Sequence, residues 1–497
     1  MGDQTDKRNK RQKTSSYSGY RVGESDEVEE VNSSIKSKKF FESFVLRRKP
    51  VKIKPDGSGF IDLKNLSIDN IEKYLDYQYY LQVEKKFEHG FGSGLSREKM
   101  TLKNLMERLR QGDDSFYLTT QYNENENEEI SDDENDNENG AYGDKAVEGV
   151  NKNNFENFSD TSSMGSIDFD DLRDDYEDEE EDGNEDIVDP ILSKECDLTE
   201  FEAKNRIREL LQPPLTNAFN KVTVKPPLLK NLVPQQINLW MGYSKKGSTP
   251  QLNSSDIDLC RMVPGDGTSS GLHHDHADNL YILVSGVKRF TLYSPSDAEK
   301  LFTVGNISKV FSNGTIDYED DNLSGWRHIR EDGAILSEVA KWKLKNDNLL
   351  SNDTRKALQE VISDEEDLKH GDNREPPSFS KIPPALLHIE DFEDAALRDK
   401  LTKFSMKNFP GLLELNKLTV WLHPGDMLYL PAGWFHEVSS YGSHIDDLSI
   451  HVALNYWFSP PDSDSYEAPY RDSYWNEDWK KTEESVRLAR EGIIDAD

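Results

Sequence analysis

The spacing of apolar residues changes several times along this chain, and each change marks a different element. Phe40, Phe41, Phe44 and Val45 recur at helical spacing, and Pro50-Val51-Lys52-Ile53 alternates as a short strand. Ile68 to Leu75 suits a short helix with Ser67 as N-cap, and Tyr79 to Val83 suits a strand. Thr101 stands where it can cap a helix through Leu109, with Leu102, Leu105, Met106 and Leu109 on one face. Phe116 to Tyr122 is a further strand candidate. Apolar spacing then disappears until a helix from Leu198 to about Leu211. Ile237 to Gly242 and Ile257 to Val263 read as strands. Leu280 to Val284, the turn pair Ser285-Gly286 and Val287 to Tyr293 read as a hairpin. From about 315 to 378 the strand pattern breaks, and Asp353 is placed to cap a helix with Leu358, Val361 and Ile362 on one face. Strands return at Leu418 to Leu422, Met427 to Leu430, Phe435 to Ser439 and Leu448 to Phe458. Pro424-Gly425-Asp426 and Pro431-Ala432-Gly433 are turn signals between them. Glu477 to Ile493 reads as a charged helix, and no internal repeat is present.

Many short strands separated by turns and interrupted by insertions predict a mainly β fold with flanking helices, a jelly-roll barrel or sandwich. A barrel of about eight strands has an interior that holds one small ligand. The expected divisions are a disordered tail (1–36), a first part of the domain (37–122), an acidic disordered insertion (123–196), a core segment (197–314), an acidic and helical insertion (315–378), a second core segment (379–470) and a C-terminal helix (471–497).

Composition sharpens this picture. Of 497 residues only 34% are hydrophobic and 31% are charged, so part of the chain lies outside any core. Runs such as Glu124-Asn125-Glu126-Asn127-Glu128-Glu129 and Asp175 to Asp182 are acidic and of low complexity. They read as solvated insertions, with docking of a basic protein as the sharper alternative. The net charge of −35 repels nucleic acid backbones and favours basic partners, although its concentration in a few runs leaves RNA open. Cys196 and Cys260 are too few for a disulfide framework or a structural zinc finger, and a reducing intracellular compartment fits them. No apolar run reaches the ~18 residues of a membrane span, and no signal-peptide core is seen. The basic cluster Lys7-Arg8-Asn9-Lys10-Arg11-Gln12-Lys13 has the form of a nuclear-import signal, so the expected location is nuclear, cytoplasmic or both.

The densest chemistry lies in Leu272-His273-His274-Asp275-His276-Ala277-Asp278. Residues two apart in a strand share a side, so His273 with Asp275, or His274 with His276, are candidate metal pairs. Pairing across the expected hairpin puts Asn279, Tyr281, Leu283, Lys288, Phe290 and Leu292 on one face. Odd-number parity carries His273 and Asp275 to that face and sends His274 and His276 to the other. A lysine among aromatic residues is costly to bury unless an anion neutralises it, which points to a carboxylate ligand; the alternative is a lysine that snorkels to solvent. In the last strand, Ser449, His451, Ala453, Asn455 and Trp457 form a smaller, more polar face opposite Ile450, Val452, Leu454, Tyr456 and Phe458. His436, in Trp434-Phe435-His436-Glu437-Val438, completes two histidines and a carboxylate, a facial set that leaves metal positions open.

In Gly267 to Asp275, Asp278-Asn279-Leu280, Ser285 to Phe290, Tyr429 to His436 and Leu454 to Phe458 the chain resembles the JmjC family of the cupin superfamily. The resemblance implies a double-stranded β-helix and dependence on Fe(II), 2-oxoglutarate and O2. It implies His273, Asp275 and His436 as iron ligands, and Lys288, Ser270, Asn279, Asn455 and Trp457 as cosubstrate residues. It implies hydroxylation of a protein side chain, with lysine demethylation and tRNA-base hydroxylation as alternatives. A cupin-fold binding module that recruits basic partners is the non-enzymatic alternative. The long gap between Asp275 and His436 departs from the family pattern, and the sequence has no second His/Cys-rich zinc site, which favours the smaller hydroxylases.

Overall fold

Two facing sheets, largely antiparallel, enclose the cavity in which the predicted ligands meet. The computed structural model describes residues 14–56, 63–85, 97–121, 196–244, 263–265, 267–319, 327–366, 376–441 and 450–495. Among the described residues, a nine-stranded sheet has the order Glu29–Asn32, Val51–Lys54, Met427–Leu430, Asp278–Ser285, Ile450–Phe458, Pro234–Tyr243, Phe116–Leu118, Tyr80–Lys85 and Arg97–Thr101. The second sheet runs Leu418–Leu422, Val287–Tyr293, Phe435–Tyr441 and Thr268–Ser269, with His273–His274 also paired to Phe435–Tyr441. This is the expected jelly-roll sandwich.

The alternation of the strands sets three cores. Ile450, Val452, Leu454, Tyr456 and Phe458 face outward and are covered by the helices, where Phe40, Leu105, Ile207 and Trp479 join the same cluster. The helix Leu102–Arg110 buries Leu102, Leu105, Met106 and Leu109, and its cap is the expected Thr101, whose hydroxyl accepts from the Asn104 N–H at 3.1 Å. Between the sheets, Leu283, Phe290, Leu292, Val420, Leu428 and Trp434 close one end of the sandwich. A third cluster, including Leu272, Tyr318, Leu386 and Phe435, lies behind the second sheet.

Several expectations need correction. Asp278–Ser285 and Val287–Tyr293 do not pair as a hairpin. The first bonds to Met427–Leu430 and Ile450–Phe458, the second to Leu418–Leu422 and Phe435–Tyr441. Ser285-Gly286 is a corner at which the chain passes from one sheet to the other. Gly286 has φ +86°, and a Cβ there would fall 2.6 Å from the His451 Cβ, so glycine suits both demands. The predicted faces survive, because the sheets face each other: Asn279 and Tyr281 line the cavity from one, Lys288 and Phe290 from the other.

Residues 14–36 were expected in a disordered tail. Instead Thr14–Ser15 pairs with Lys309–Val310, Glu29–Asn32 pairs with Val51–Lys54, and Tyr17 is buried. Edge pairing uses backbone groups, which need no apolar period, and one aromatic ring supplies the anchor. Helix Ile71–Tyr74 starts after Asn70 without a side-chain cap, while Ser67 donates its hydroxyl to the Lys64 carbonyl at 2.7 Å. Helix Asn352–Glu366 is capped by Ser351, whose hydroxyl accepts from the Thr354 N–H at 3.1 Å, and not by Asp353. The Ile257–Val263 strand lies outside the described residues except for Val263, as do the basic cluster at 7–13, Cys260 and the acidic stretch 123–195. Among the described residues no helix is long and apolar enough to cross a membrane.

Candidate metal centre and its cavity

His273 ends the loop that follows Gly271 (φ +74°) and pairs directly with His436 of the facing strand. Asp275 lies two residues on. One ligand atom from each of His273, Asp275 and His436 falls within 4.8 Å of the others, and all three residues are buried. His436 Nε2 is 3.8 Å from Asp275 Oδ2. The Nδ1 of His273 lies 3.1 Å from the Gly271 carbonyl, and that of His436 lies 3.0 Å from the Trp434 carbonyl. A carbonyl only accepts, so both Nδ1 atoms carry the proton and both Nε2 lone pairs are free for a metal. Burial, with His436 alongside, pushes His273 down to about 4, so it is neutral and ready to ligate near neutral pH. This donor set of two imidazoles and one carboxylate suits Fe(II).

The turn before His436 is held from three sides. Ala432 N–H donates to Asp278 Oδ1 at 2.9 Å, Gly433 N–H to the Asp275 carbonyl at 2.8 Å, and Trp434 Nε1–H to the Arg48 carbonyl at 3.0 Å. Asp278 also accepts from Tyr429 at 2.6 Å and forms a buried two-point ion pair with Arg48. The ligand turn and the His-x-Asp segment are thus tied together independently of any metal.

The three candidate ligands open on a cavity of about 880 Å³, its mouth included. Ser270, Asn279, Lys288, Asn455 and Trp457 all line it. Lys288 is buried; its Nζ donates to Ser440 Oγ at 2.5 Å and lies 3.3 Å from His451 Nδ1 and 3.5 Å from the Tyr117 hydroxyl. Burial lowers its pKa to about 7. The same burial, reinforced by Lys288, pushes His451 well down and keeps it neutral. Ser270 Oγ accepts from the Val438 N–H at 3.1 Å. Asn279 donates to Asp275 Oδ2 at 3.1 Å and accepts from Asn455 at 3.4 Å.

His274 and His276 point away from the cavity but not into solvent. Both are buried against the insertion, where His274 Nε2 meets the Tyr318 hydroxyl at 2.5 Å and His276 Nε2 meets the Ile316 carbonyl at 3.1 Å. Segment 376–380 lies along the ligand strand, with Ser380 N–H donating to the Leu272 carbonyl at 2.8 Å. Phe379 stacks on the His273 ring, with centroids 4.9 Å apart and planes 10° from parallel.

Sequence reasoning missed Tyr117, Trp240, Phe379 and Ser440, all of which line the cavity, and Arg48 behind it. Tyr117 and Trp240 stood in predicted strands, but nothing local shows which face such a strand presents. His451 was legible as part of the inward face of the last strand.

Comparison with known proteins agrees with this geometry. The profile of the cupin-like domain family matches residues 37–464. JmjC domain-containing protein 4 of Schizosaccharomyces pombe is 27% identical, over 92% of this chain and 90% of that protein. JmjC domain-containing protein E of Dictyostelium discoideum is 23% identical, over 41% of this chain and 43% of that one. The protein named lysine-specific demethylase JMJ32 of Arabidopsis thaliana is 23% identical, over 45% and 42% respectively. With its His-Asp-His centre inside a jelly-roll sandwich, the chain belongs to the cupin-like domain family, as a cupin of the JmjC type.

Proposed function

We propose that this chain is an Fe(II)- and 2-oxoglutarate-dependent oxygenase that hydroxylates a side chain of a protein substrate. The observation that carries the reading is the placement of a buried lysine in the same cavity as an open-sided His-Asp-His set. His273, Asp275 and His436 would hold the iron. Lys288, with Tyr117 and Ser440 around it, would neutralise the distal carboxylate of the cosubstrate, while Ser270, Asn279, Asn455 and Trp457 would shape its site. Bound Fe(II), 2-oxoglutarate and dioxygen together supply C–H hydroxylation, one oxygen atom entering the alcohol and the other entering succinate as carbon dioxide leaves.

The protein's part is to bind, orient and exclude water. The backbone carbonyls of Gly271 and Trp434 hold both imidazoles in the ligating tautomer. Phe379, Phe290 and Tyr281 give the cavity apolar walls beside the ligands. The net charge of −35 supports a basic protein substrate, and the cluster at Lys7 to Lys13 supports an intracellular site of action, nuclear, cytoplasmic or both. Lysine demethylation is the second reading, favoured by the name of the Arabidopsis relative.

The test is turnover. Purified chain with Fe(II) and ascorbate is expected to convert 2-oxoglutarate to succinate, and His273→Ala and Asp275→Ala are expected to abolish this. Equal inertness of wild type and both variants, with no metal bound, sinks the reading. Mass spectrometry of cells lacking the protein then separates the two chemistries: a lost oxygen atom marks hydroxylation, and a retained methyl group marks demethylation.

A further inference from the structure

A chain of hydrogen bonds runs from one wall of the cavity to the carboxylate of the metal set. Trp240 Nε1–H donates to Asn455 Oδ1 at 2.9 Å. Asn455 Nδ2–H donates to Asn279 Oδ1 at 3.4 Å. Asn279 Nδ2–H donates to Asp275 Oδ2 at 3.1 Å. The four residues lie on different segments: Trp240 on Pro234–Tyr243, Asn455 on Ile450–Phe458, Asn279 on Asp278–Ser285, and Asp275 just ahead of that strand. Neighbouring strands bring them together, since Asn279 stands opposite Trp457 and Asn455 opposite Tyr281 in the ladder.

The polarity of this relay is set at its two ends. An indole N–H only donates, and an ionised carboxylate only accepts. Each carboxamide between them has one donor side and one acceptor side, and by itself can point either way. Trp240 is satisfied only when Asn455 turns its oxygen towards it. That turns the Asn455 NH2 to Asn279, which then presents its own oxygen to Asn455 and its NH2 to Asp275. Without the indole N–H, Asn455 is free to flip. A flipped Asn455 favours a flipped Asn279, whose oxygen then opposes the Asp275 carboxylate.

We infer that Trp240 is a positioning residue for the metal centre, acting through Asn455 and Asn279 to hold the Asp275 carboxylate in its ligating orientation. This rests on the reading of His273, Asp275 and His436 as metal ligands. Trp240 itself makes none of the three candidate metal bonds.

The test is Co(II) titration of the metal-free full chain in the absence of cosubstrate, followed by the d–d absorption of the bound ion. Trp240→Phe keeps the ring and removes the donor. It is expected to raise the Co(II) Kd about tenfold, the lower end of the range for outer partners of ligands, and to alter the d–d band, with the melting temperature of the metal-free protein unchanged. Asn455→Leu is expected to weaken binding at least as much, and the double variant no more than Asn455→Leu alone, because both interrupt one relay. A Trp240→Phe protein that is folded and binds within about twofold of wild type overturns the inference. So does a double variant whose losses multiply. If Trp240→Phe does not fold, Asn455→Leu alone decides: unchanged Co(II) affinity overturns the relay. Failure of wild type to bind Co(II) removes instead the metal-site reading beneath it.

Discussion

The Nζ of Lys288 donates to Oγ of Ser440 at 2.5 Å, across adjacent strands of the second sheet in which the two residues stand directly opposite. This neutral hydroxyl is a weak partner for a buried ammonium, and burial accordingly lowers the lysine to about 7.

A pH dependence follows. On the proposed function, an anionic cosubstrate would be neutralised by Lys288 in its protonated form, and that proton is lost from the free protein as pH rises through about 7. The Kd for 2-oxoglutarate, measured by calorimetry with a redox-inert metal, is expected to rise by up to about tenfold per pH unit above 7. Lys288→Met is expected to weaken binding and flatten this profile. The same shift acts on stability. The unfolded lysine keeps its proton to about 10.4 while the native one loses it near 7, so the lysine's contribution makes the cosubstrate-free protein more stable as pH rises across that window.

Arg48 and Asp278 form a buried ion pair from positions far apart in the chain. Arg48→Met leaves the Asp278 carboxylate uncompensated and is expected to cost about 3–5 kcal/mol in urea unfolding. Asp278→Asn in the same background is expected to recover part of that loss, since it removes the stranded charge.

Gly433 combines φ +75° with a Cβ position 1.8 Å from the Gly314 carbonyl oxygen. No side chain yields there, because both partners are backbone. Gly433→Ala is expected to cost upwards of about 3 kcal/mol and to displace the turn that leads to His436. Thermal melting and Co(II) binding are expected to fall together.

Thr101→Ala serves as a contrast. It removes the hydroxyl that accepts from the Asn104 N–H, on a helix outside the cavity. A loss of about 1 kcal/mol is expected, with 2-oxoglutarate turnover per folded molecule unchanged.

The metal set was legible because its chemistry is local. His273 and Asp275 are two apart, and His436 sits beside a turn signal. The inward faces were also legible, even though the reasoning invoked a hairpin where the chain turns a corner between sheets. Alternation with period two passes through either geometry. What stayed hidden depends on partners remote in sequence. Nothing near Arg48 announces Asp278, and nothing near Ser440 announces Lys288. The burial of His274 and His276 also could not be read, since the strand Ile316–Tyr318 that covers them belongs to a stretch with no strand pattern. Tyr17 was missed for the same reason: one anchoring ring in a polar tail leaves no period.

The 315–378 insertion grips the ligand strand on both sides, with Tyr318 against His274 on one and Phe379, just past its end, against His273 on the other. It is therefore not an ornament that trimming would remove cleanly. Shortening it is expected to remove the Tyr318 contact at His274 and to loosen Phe379, the ring that stacks on the His273 imidazole. Conversely, any displacement of this segment is passed directly to the two neighbouring imidazoles it brackets, His273 and His274, the first of which is a candidate metal ligand.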